Sequence, residues 1–330
     1  MRLETFNTAA LLTALGLATW GATVRMAPSQ PEAHLVVAPS AAPHATELTD
    51  ARGQVVPVAA YQRIVSINSV ADPILLELVP PEHLIAVTGY SRDTHPEGYR
   101  FGTRPTVAQS SDIEIILSLK PDLVIGSRFA DESFMARLRE AGIAVFDPGD
   151  LRGVTTTLHT IQTLGQLLAQ PERAARVAHD YQMRLTALAS AVPEDERVPG
   201  IWLTLYGDAL YGGTTGSSYG DMLHYSGIID LAAQAGYRDW PQFSLEELLT
   251  LDPPLVVTGS GMGTPLCSHS TLKQLACCQA GGRVVEVPGK YHSDPGLGIV
   301  HAALGVQQLV HPTHAETLLT GPHSQVDVSP

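Results

Sequence analysis

Residues 171–191 (PERAARVAHDYQMRLTALASA) carry apolar side chains at a spacing of three and four, which predicts one long amphipathic helix. Its apolar positions are Ala174, Val177, Ala178, Tyr181, Leu185, Leu188 and Ala189. Pro171 suits the first helical turn, and Pro193 ends the pattern. About 20 residues at roughly 1.5 Å each make a rod of about 30 Å. Patterns of alternating strands and helices lie on both sides, so we interpret this helix as a spine between two lobes.

The first lobe is predicted over residues 47–150. A short strand-turn-strand (ELTDARGQVVPV) leads into a buried strand at 63–67. The pattern then predicts, in order, a helix at 72–79, a strand at 84–88, a loop at 89–104, a helix at 113–119, a strand at 123–126, a helix at 132–141 and a strand at 143–146. Strands that alternate with helices are typical of a parallel sheet covered by helices on both faces.

The second lobe, residues 198–315, repeats this pattern. Its predicted elements are a strand at 201–206, a Gly/Thr/Ser-rich loop, helices near 219–226 and 244–251, a strand at 255–258, a helix at 271–277, a strand at 283–287 and a helix at 298–310. Residues 114–125 (EIILSLKPDLVI) match residues 246–257 (EELLTLDPPLVV) at a constant offset, which indicates duplication. We therefore expect an α/β fold of two Rossmann-like lobes with central parallel sheets, bridged by one long rigid α-helix.

The ends of the chain have a different composition. Residues 1–26 contain an uncharged apolar run from Thr5 to Val24, which predicts a cleaved export signal or an uncleaved membrane anchor. Residues 27–46, rich in Pro and Ala, read as a tether, and residues 316–330 as a polar tail. Residues 151–197 form the segment that links the lobes. Either reading of the N-terminus places the remainder outside the cytoplasm, in the periplasm or an equivalent compartment.

Charge and cysteine content narrow the classes of function. The net charge is −13, with 44% hydrophobic and 16% charged residues, which argues against nucleic-acid binding and for a basic protein partner. Cys267, Cys277 and Cys278 crowd into one segment without the spacing of a zinc site. In an oxidising compartment Cys267 can pair with Cys277 or Cys278, and we name Cys267–Cys277.

The cleft between two such lobes is the expected ligand site, because loops after the carboxyl ends of parallel strands face it. Aromatic residues make up 6% of the chain, yet several fall in these predicted loops. Flat rings with polar tips suit a large, partly apolar ligand. The candidate ligand-binding residues are Tyr90, Tyr206, Tyr211, Trp240, Tyr291 and His292.

Two other motifs suggest different chemistry. Residues 216–220 match G-x-S-x-G, so an envelope serine hydrolase using Ser218 is an alternative, although a loop rather than a strand precedes the serine. His311 and His314 have the spacing of a metal pair, but Pro312 lies between them. We expect no catalytic residues and no metal site.

Residues 46–311 resemble the periplasmic substrate-binding proteins of ABC importers for vitamin B12, ferric siderophores and haem. The segments that carry the resemblance are RIVSINS (63–69), IAVTGYS (85–91), DIEIILSLKPDLVIGS (112–127), SYGDMLHYSGIIDLAAQAG (218–236), WPQFSLEELLTLDPPLVV (240–257) and LKQLACCQAGGRVVEVP (272–288). The resemblance implies a monomeric, non-enzymatic receptor without a resident cofactor. It also implies that Glu114 and Glu246 dock onto arginines of a permease dimer, which works with ATPase subunits.

The resemblance also bears on the ligand. Compared with the B12-binding member, Tyr90 and Trp240 fall on aromatic contact positions and Tyr206 on a cleft phenylalanine, while Ala108 and Ser127 replace two tryptophans. Haem-binding members place a tyrosine ligand in the loop that here offers Tyr90 or His95. The ligand class stays open between cobalamin, ferric siderophores and haem. A chelate sensor that is not coupled to transport is a further alternative.

Overall fold

The computed structural model describes residues 45–108, 112–207, 209–289 and 295–320, without the side chains of 317–320. The predicted signal or anchor, nearly all of the tether and residues 321–330 lie outside this part of the chain. Within the described residues, no helix is both long enough and apolar enough to cross a membrane. The segment predicted as a polar tail starts inside a terminal helix, Pro312–Thr320.

The first lobe is a five-stranded parallel sheet preceded by an antiparallel hairpin. The hairpin strands are β1 (Glu47–Thr49) and β2 (Val55–Pro57). The sheet contains β3 (Ile64–Ser66), β4 (Leu84–Thr88), β5 (Thr106–Val107), β6 (Leu123–Ile125) and β7 (Ala144–Phe146), in the spatial order β5-β4-β3-β6-β7. Its helices are α1 (Ala71–Leu78), α2 (Gly89–Asp93), α3 (Ile113–Leu119) and α4 (Glu132–Glu140). Strands β3 and β6 are wholly buried, as expected for central strands of a parallel sheet.

The linking segment holds two helices, α5 (Val154–Leu167) and α6 (Pro171–Ala191), of which α6 is the predicted spine with the predicted bounds. The buried residues of α6 repeat at three and four positions, as the sequence indicates. The two helices pack closely: a Cβ on Gly165 would lie 2.1 Å from Cβ of Ala174. Glycine is therefore required where α5 meets α6.

The second lobe is a six-stranded sheet with a parallel centre and an antiparallel edge. Its strands are β8 (Val198–Tyr206), β9 (Ala209–Gly213), β10 (Ile228–Asp230), β11 (Gln242–Phe243), β12 (Leu255–Gly259) and β13 (Arg283–Val287). Strands β8, β10, β12 and β13 run parallel, whereas β9 is antiparallel to β8 and to β11. The helices are α7 (Ser218–Tyr225), α8 (Leu231–Gln234), α9 (Leu245–Leu251), α10 (Gly263–Ser268), α11 (Ile299–Val310) and α12 (Pro312–Thr320).

The apolar side of α6 belongs to a core that both lobes share. This core contains Tyr181, Leu185 and Leu188 of α6, together with buried side chains of α1 and α11. Polar contacts follow the same path, since the Tyr181 hydroxyl donates to Gly296 O at 3.0 Å. The two-lobed α/β architecture bridged by one long helix is confirmed.

Three predictions about local structure are wrong. The predicted loop at 89–104 contains helix α2 and a 3₁₀ turn, Gly98–Phe101. The Gly-rich segment after Tyr206 forms strand β9, because the long strand β8 supplies a partner for each of its residues. The predicted helix at 271–277 consists of two 3₁₀ turns, Leu272–Gln274 and Ala276–Cys278, separated by the extended residue Leu275.

Hydrogen bonds to another segment of the chain cause the break at Leu275. Beyond it, the N–H of Ala276 donates to Asp252 Oδ1 at 2.7 Å, and the N–H of Cys277 donates to Pro253 O at 2.9 Å. Both donors are used by the loop after α9, so they do not close a helical turn. Tertiary hydrogen bonds thus override the helical pattern of the segment.

Candidate functional site

The carboxyl ends of β3, β4, β6 and β7 place four loops of the first lobe along one edge of its sheet. Asn68 joins two of them: its Nδ2 donates to Gly126 O at 3.1 Å, and its Oδ1 accepts from the N–H groups of Val70 and Ala71. The loop after β3 is thereby fixed to the end of β6. This edge is where an open α/β sheet binds ligands.

Tyr90 lies in the first turn of α2, directly after β4, and is partly buried. Thr88 caps this helix, because its Oγ1 accepts from the N–H of Ser91 at 3.2 Å. His95 follows on the same loop and is buried, and its Nδ1 accepts from the N–H of Glu97 at 3.1 Å. The two candidate haem ligands are thus close in the chain; the Tyr90 side chain is less buried as a whole, but its hydroxyl oxygen is itself buried.

A buried carboxylate holds the base of this loop. Asp72 Oδ2 accepts from the Thr88 N–H at 3.0 Å and from the Thr88 hydroxyl at 2.8 Å. Burial raises the pKa of Asp72 to about 6, against hydrogen bonds from Ser66, Ser91 and Thr88 that favour its ionised form. A titratable group therefore stabilises the helix that carries Tyr90.

The loop after β6 is held by Arg52, a residue of the β1–β2 turn that the sequence did not single out. Its Nη2 donates to the carbonyls of Ser127, Arg128 and Ala130 at 3.1, 3.2 and 2.9 Å. Its Nε donates to Asp147 Oδ2 at 2.7 Å, and its Nη1 to Glu132 Oε2 at 2.8 Å. The hydrogen bond with Asp147 is the main cause that raises the pKa of Arg52. The clamped loop presents Phe129, whose side chain is 79% exposed.

In the second lobe, Tyr206 and Tyr211 lie on the β8–β9 hairpin. Thr204 pairs with Tyr211 and Tyr206 with Ala209, so the two tyrosines share one face of the hairpin. Tyr206 is 81% exposed and Tyr211 partly buried. The prediction that Tyr211 lies in a loop is wrong, since it is in β9, but the structure does bring the two rings to one face.

Trp240 is 42% exposed and precedes β11. The guanidinium carbon of Arg152 lies 5.5 Å from the centre of its ring. Arg152 Nη1 also lies 3.2 Å from Asp239 Oδ1, and Arg152 Nε lies 3.0 Å from Asp150 Oδ2. Asp150 follows β7 of the first lobe, so these charges connect the two lobes beside Trp240.

The same oxygen of Asp150 serves a second arginine. Arg128 Nη1 lies 2.7 Å from Asp150 Oδ2, and its guanidinium carbon lies 5.3 Å from the centre of the Phe129 ring. We call Arg128, Phe129, Asp150, Arg152 and Trp240 the arginine–aromatic bracket. Of these five residues, the sequence pattern singles out only Trp240; the one signal for Phe129 is its position just after a strand end, next to an arginine.

Tyr291 and His292 lie outside the described residues, so their predicted position in the cleft is not described.

The residues of the alternative serine hydrolase and of the histidine pair have other surroundings than those chemistries need. Ser218 is the first residue of α7, and among the described residues no histidine is hydrogen-bonded to its hydroxyl. His311 Nε2 lies 3.1 Å from Gly227 O, and His314 Nε2 lies 2.8 Å from Glu196 Oε2. The described part of the chain holds no group of three or more His, Cys, Asp or Glu that could bind a metal ion.

Glu114 and Glu246 occupy equivalent positions in the two lobes. Each is exposed and is the second residue of a seven-residue helix, α3 or α9. Each helix ends at a residue in the left-handed region, Lys120 (φ 49°) or Asp252 (φ 37°). An exposed leucine follows each glutamate by three positions and so shares its face of the helix, Leu117 in α3 and Leu249 in α9.

The disulfide joins Cys267 to Cys278, so the named pair Cys267–Cys277 is wrong. The side chain of Cys277 is instead buried in the core of the second lobe, whereas Cα of Cys278 lies 5.5 Å from Cα of Cys267. Burial raises the pKa of the Cys277 thiol to about 11, so this thiol stays protonated and inert. The crosslink ties α10 to the turn before β13.

Comparison with known proteins agrees with this architecture. A cobalamin-binding protein of Halobacterium salinarum is 25% identical over 260 residues, which cover 76% of this chain and 70% of that relative. A vitamin B12-binding protein of Vibrio cholerae is 26% identical over 198 residues, which cover 60% of this chain and 70% of the relative.

Solved structures show the same fold. The heme binding protein HmuT aligns with a TM-score of 0.62 at 22% identity, covering 83% of this chain and 93% of HmuT. The periplasmic heme binding protein HutB of Vibrio cholerae aligns with a TM-score of 0.63 at 20% identity, covering 76% of this chain and 99% of HutB. The model of the periplasmic binding protein family matches residues 64–274, well over half of the sequence. This chain therefore belongs to the periplasmic binding protein family.

Proposed function

We propose that this protein is an extracytoplasmic receptor that captures a metal chelate in its interlobe cleft and delivers it to an ABC permease. The observation that supports the proposal is the exposed ring of Trp240 beside the ion pairs that link the two lobes, together with the exposed Tyr206 on the β8–β9 hairpin of the second lobe. Rings of this kind supply apolar contact area with little loss of side-chain entropy. The binding roles of the named relatives support the same class of ligand.

The proposed contacts are Tyr90, Tyr206, Tyr211 and Trp240, with Tyr291 and His292 added from the sequence alone. The proposed lobes span residues 47–150 and 198–315, with residues 1–26 as the export signal or anchor. Cobalamin, a ferric siderophore and haem are the candidate ligands. For haem, Tyr90 or His95 would coordinate the iron.

An absorbance titration tests the ligand class. The purified protein is mixed separately with cyanocobalamin, haemin and ferrichrome, and free ligand is removed by gel filtration. Retention of one chromophore at a one-to-one ratio supports the proposal and identifies the class. Loss of all three from the protein fraction would contradict it. If haemin is retained, a shift of its Soret band in Tyr90→Phe, but not in His95→Ala, would assign the ligand.

We propose that Glu114 and Glu246 dock onto arginines of the permease dimer. Their equivalent placement suits a two-fold partner, since complementary charges fix the register of an interface. A Glu114→Arg/Glu246→Arg double variant should bind ligand normally but abolish uptake into cells. Unchanged uptake would favour a sensor that is not coupled to transport. As a matched control, Glu82→Arg reverses another exposed carboxylate without affecting either helix.

A further inference from the structure

The arginine–aromatic bracket consists of two similar cation–aromatic pairs that share one carboxylate. Each of two arginines lies over the aromatic residue next to it in space, Arg128 over Phe129 and Arg152 over Trp240. Both arginines reach the same Asp150 oxygen, at 2.7 and 3.0 Å. One carboxylate therefore sets the positions of two cation–aromatic pairs.

The aromatic rings of the two pairs belong to different lobes. Arg128 and Phe129 follow β6 of the first lobe, whereas Trp240 lies beside β11 of the second. Asp239 anchors the second pair, because its N–H donates to Thr215 O at 2.9 Å and its carbonyl accepts from the Thr214 N–H at 3.0 Å. The bracket thus runs from an exposed ring of the first lobe to an exposed ring of the second.

Phe129 is exposed but not loosely held. Arg52 fixes three carbonyls of its loop and ties the same loop to Asp147 and Glu132. A ring held in place before binding loses little conformational entropy when a ligand covers it. The bracket with Asp239 contains two arginines and two aspartates, so its charges cancel and its rings offer apolar surface.

We infer that Phe129 is the first lobe's counterpart of Trp240: the two rings form the walls that contact opposite sides of the bound chelate, and Asp150 positions both. The inference rests on the proposed function and extends it by naming a binding residue and a positioning residue. Phe129 and Trp240 each have one ring face against an arginine, so ligand contact uses the remaining ring surface. The ligand that suits these walls is large enough to touch both lobes and has apolar surface on two sides.

Affinity measurements test the walls directly. Dissociation constants are measured for cyanocobalamin and for haemin with the wild type, Phe129→Ala, Phe129→Tyr and the control Tyr99→Ala. Tyr99 is also an exposed aromatic of the first lobe, but it neighbours Arg100, which pairs with Glu77 at the far end of α1. For the probe that the wild type binds, Phe129→Ala should weaken binding about tenfold, as loss of an aromatic anchor does. Phe129→Tyr and Tyr99→Ala should stay within about twofold of the wild type.

Asp150 positions Arg128 and Arg152 rather than touching the ligand, so its role is tested by tryptophan fluorescence as well as by affinity. Asp150→Asn should weaken binding of the same probe about threefold and also change the tryptophan fluorescence of the ligand-free protein, because Arg152 loses its fixed place over Trp240. Asp150→Glu, which keeps the charge, should restore most of the affinity. Equal fluorescence and equal affinity in Asp150→Asn would overturn its positioning role.

Protection of a cysteine at position 129 from chemical labelling tests ligand contact without relying on an affinity measurement. In a Phe129→Cys variant the new thiol is the reactive one, since Cys277 is buried and the other two cysteines form the disulfide. A saturating probe should slow maleimide labelling of this thiol at least fivefold, and should not slow labelling of Tyr99→Cys. If the wild type binds a probe but labelling and affinity at position 129 are unchanged, the inference is overturned. If the wild type binds none of the probes, the proposed function itself fails, and the inference falls with it.

Discussion

The buried carboxylate of Asp72 makes the stability of the fold depend on pH. Its folded-state pKa is about 6, against 3.8 for the unfolded chain, so folding favours the protonated form. The contribution of Asp72 is therefore best below pH 4, is lost as the pH rises from about 4 to about 6, and is constant above that window. The Asp72→Asn variant removes the titration and keeps an oxygen that can accept from Thr88.

The magnitude follows from the shift. The folded and unfolded pKa values of Asp72 differ by about two, and a difference of one in pKa corresponds to roughly 1.4 kcal/mol. The total over the whole pH window is therefore about 3 kcal/mol. Between pH 4.5 and pH 7.5 the expected loss is about 2 kcal/mol, because part of the unfolded-state titration lies below pH 4.5. For a domain whose total stability is about 5–15 kcal/mol, this loss is large enough to measure.

Urea unfolding at the two pH values measures it. The free energy of unfolding of the wild type should fall relative to that of Asp72→Asn by about 2 kcal/mol between pH 4.5 and 7.5. Other titrating groups are common to both proteins and cancel in this comparison. Equal pH dependence in the two proteins would contradict this prediction, because it would mean that Asp72 titrates alike in the folded and unfolded states.

Further predictions concern Arg52 and the loop it holds, the three cysteines, and helix α6. Arg52→Lys should destabilise the protein by about 2 kcal/mol, because a single ammonium cannot reach the five acceptors of the guanidinium; thermal unfolding measures this, and an unchanged Tm would contradict it. Native protein should give no reaction with Ellman's reagent and unfolded, unreduced protein one thiol; two or more thiols would exclude the Cys267–Cys278 bond. Leu188→Ala should cost about 2–5 kcal/mol in urea unfolding, whereas the exposed Met183→Ala should cost little; similar losses would mean that α6 does not bury the face described.

The sequence predicted the elements whose signals are local. Helix α3 and strand β4 have the predicted bounds, because Pro121 lies just after α3 and β4 is a short run of mostly buried, mostly apolar residues. The spine was also predictable, since its apolar spacing continues without a break over 21 residues. Equivalent glutamates could be found because an internal repeat aligns them.

The features that were missed depend on distant parts of the chain. Strand β9 (ALYGG) has little strand propensity of its own and exists because β8 pairs with it. The role of Arg52 becomes visible only when the hairpin turn lies against residues about 75 positions later. Likewise, nothing in the sequence distinguishes Cys277, whose side chain is buried in the core, from Cys278, whose sulfur bonds to Cys267.

Because α6 shares its core with both lobes, we expect that the chain does not divide into two independently stable fragments. Buried side chains of α1, α6 and α11 complete one another, so a fragment ending before residue 171 would expose apolar surface that the remainder of the chain normally covers. Although the internal repeat indicates duplicated lobes, both lobes bury apolar surface against the same helix. Neither half should express as a well-behaved separate module, and co-expressed halves should reassociate through the strip along α6.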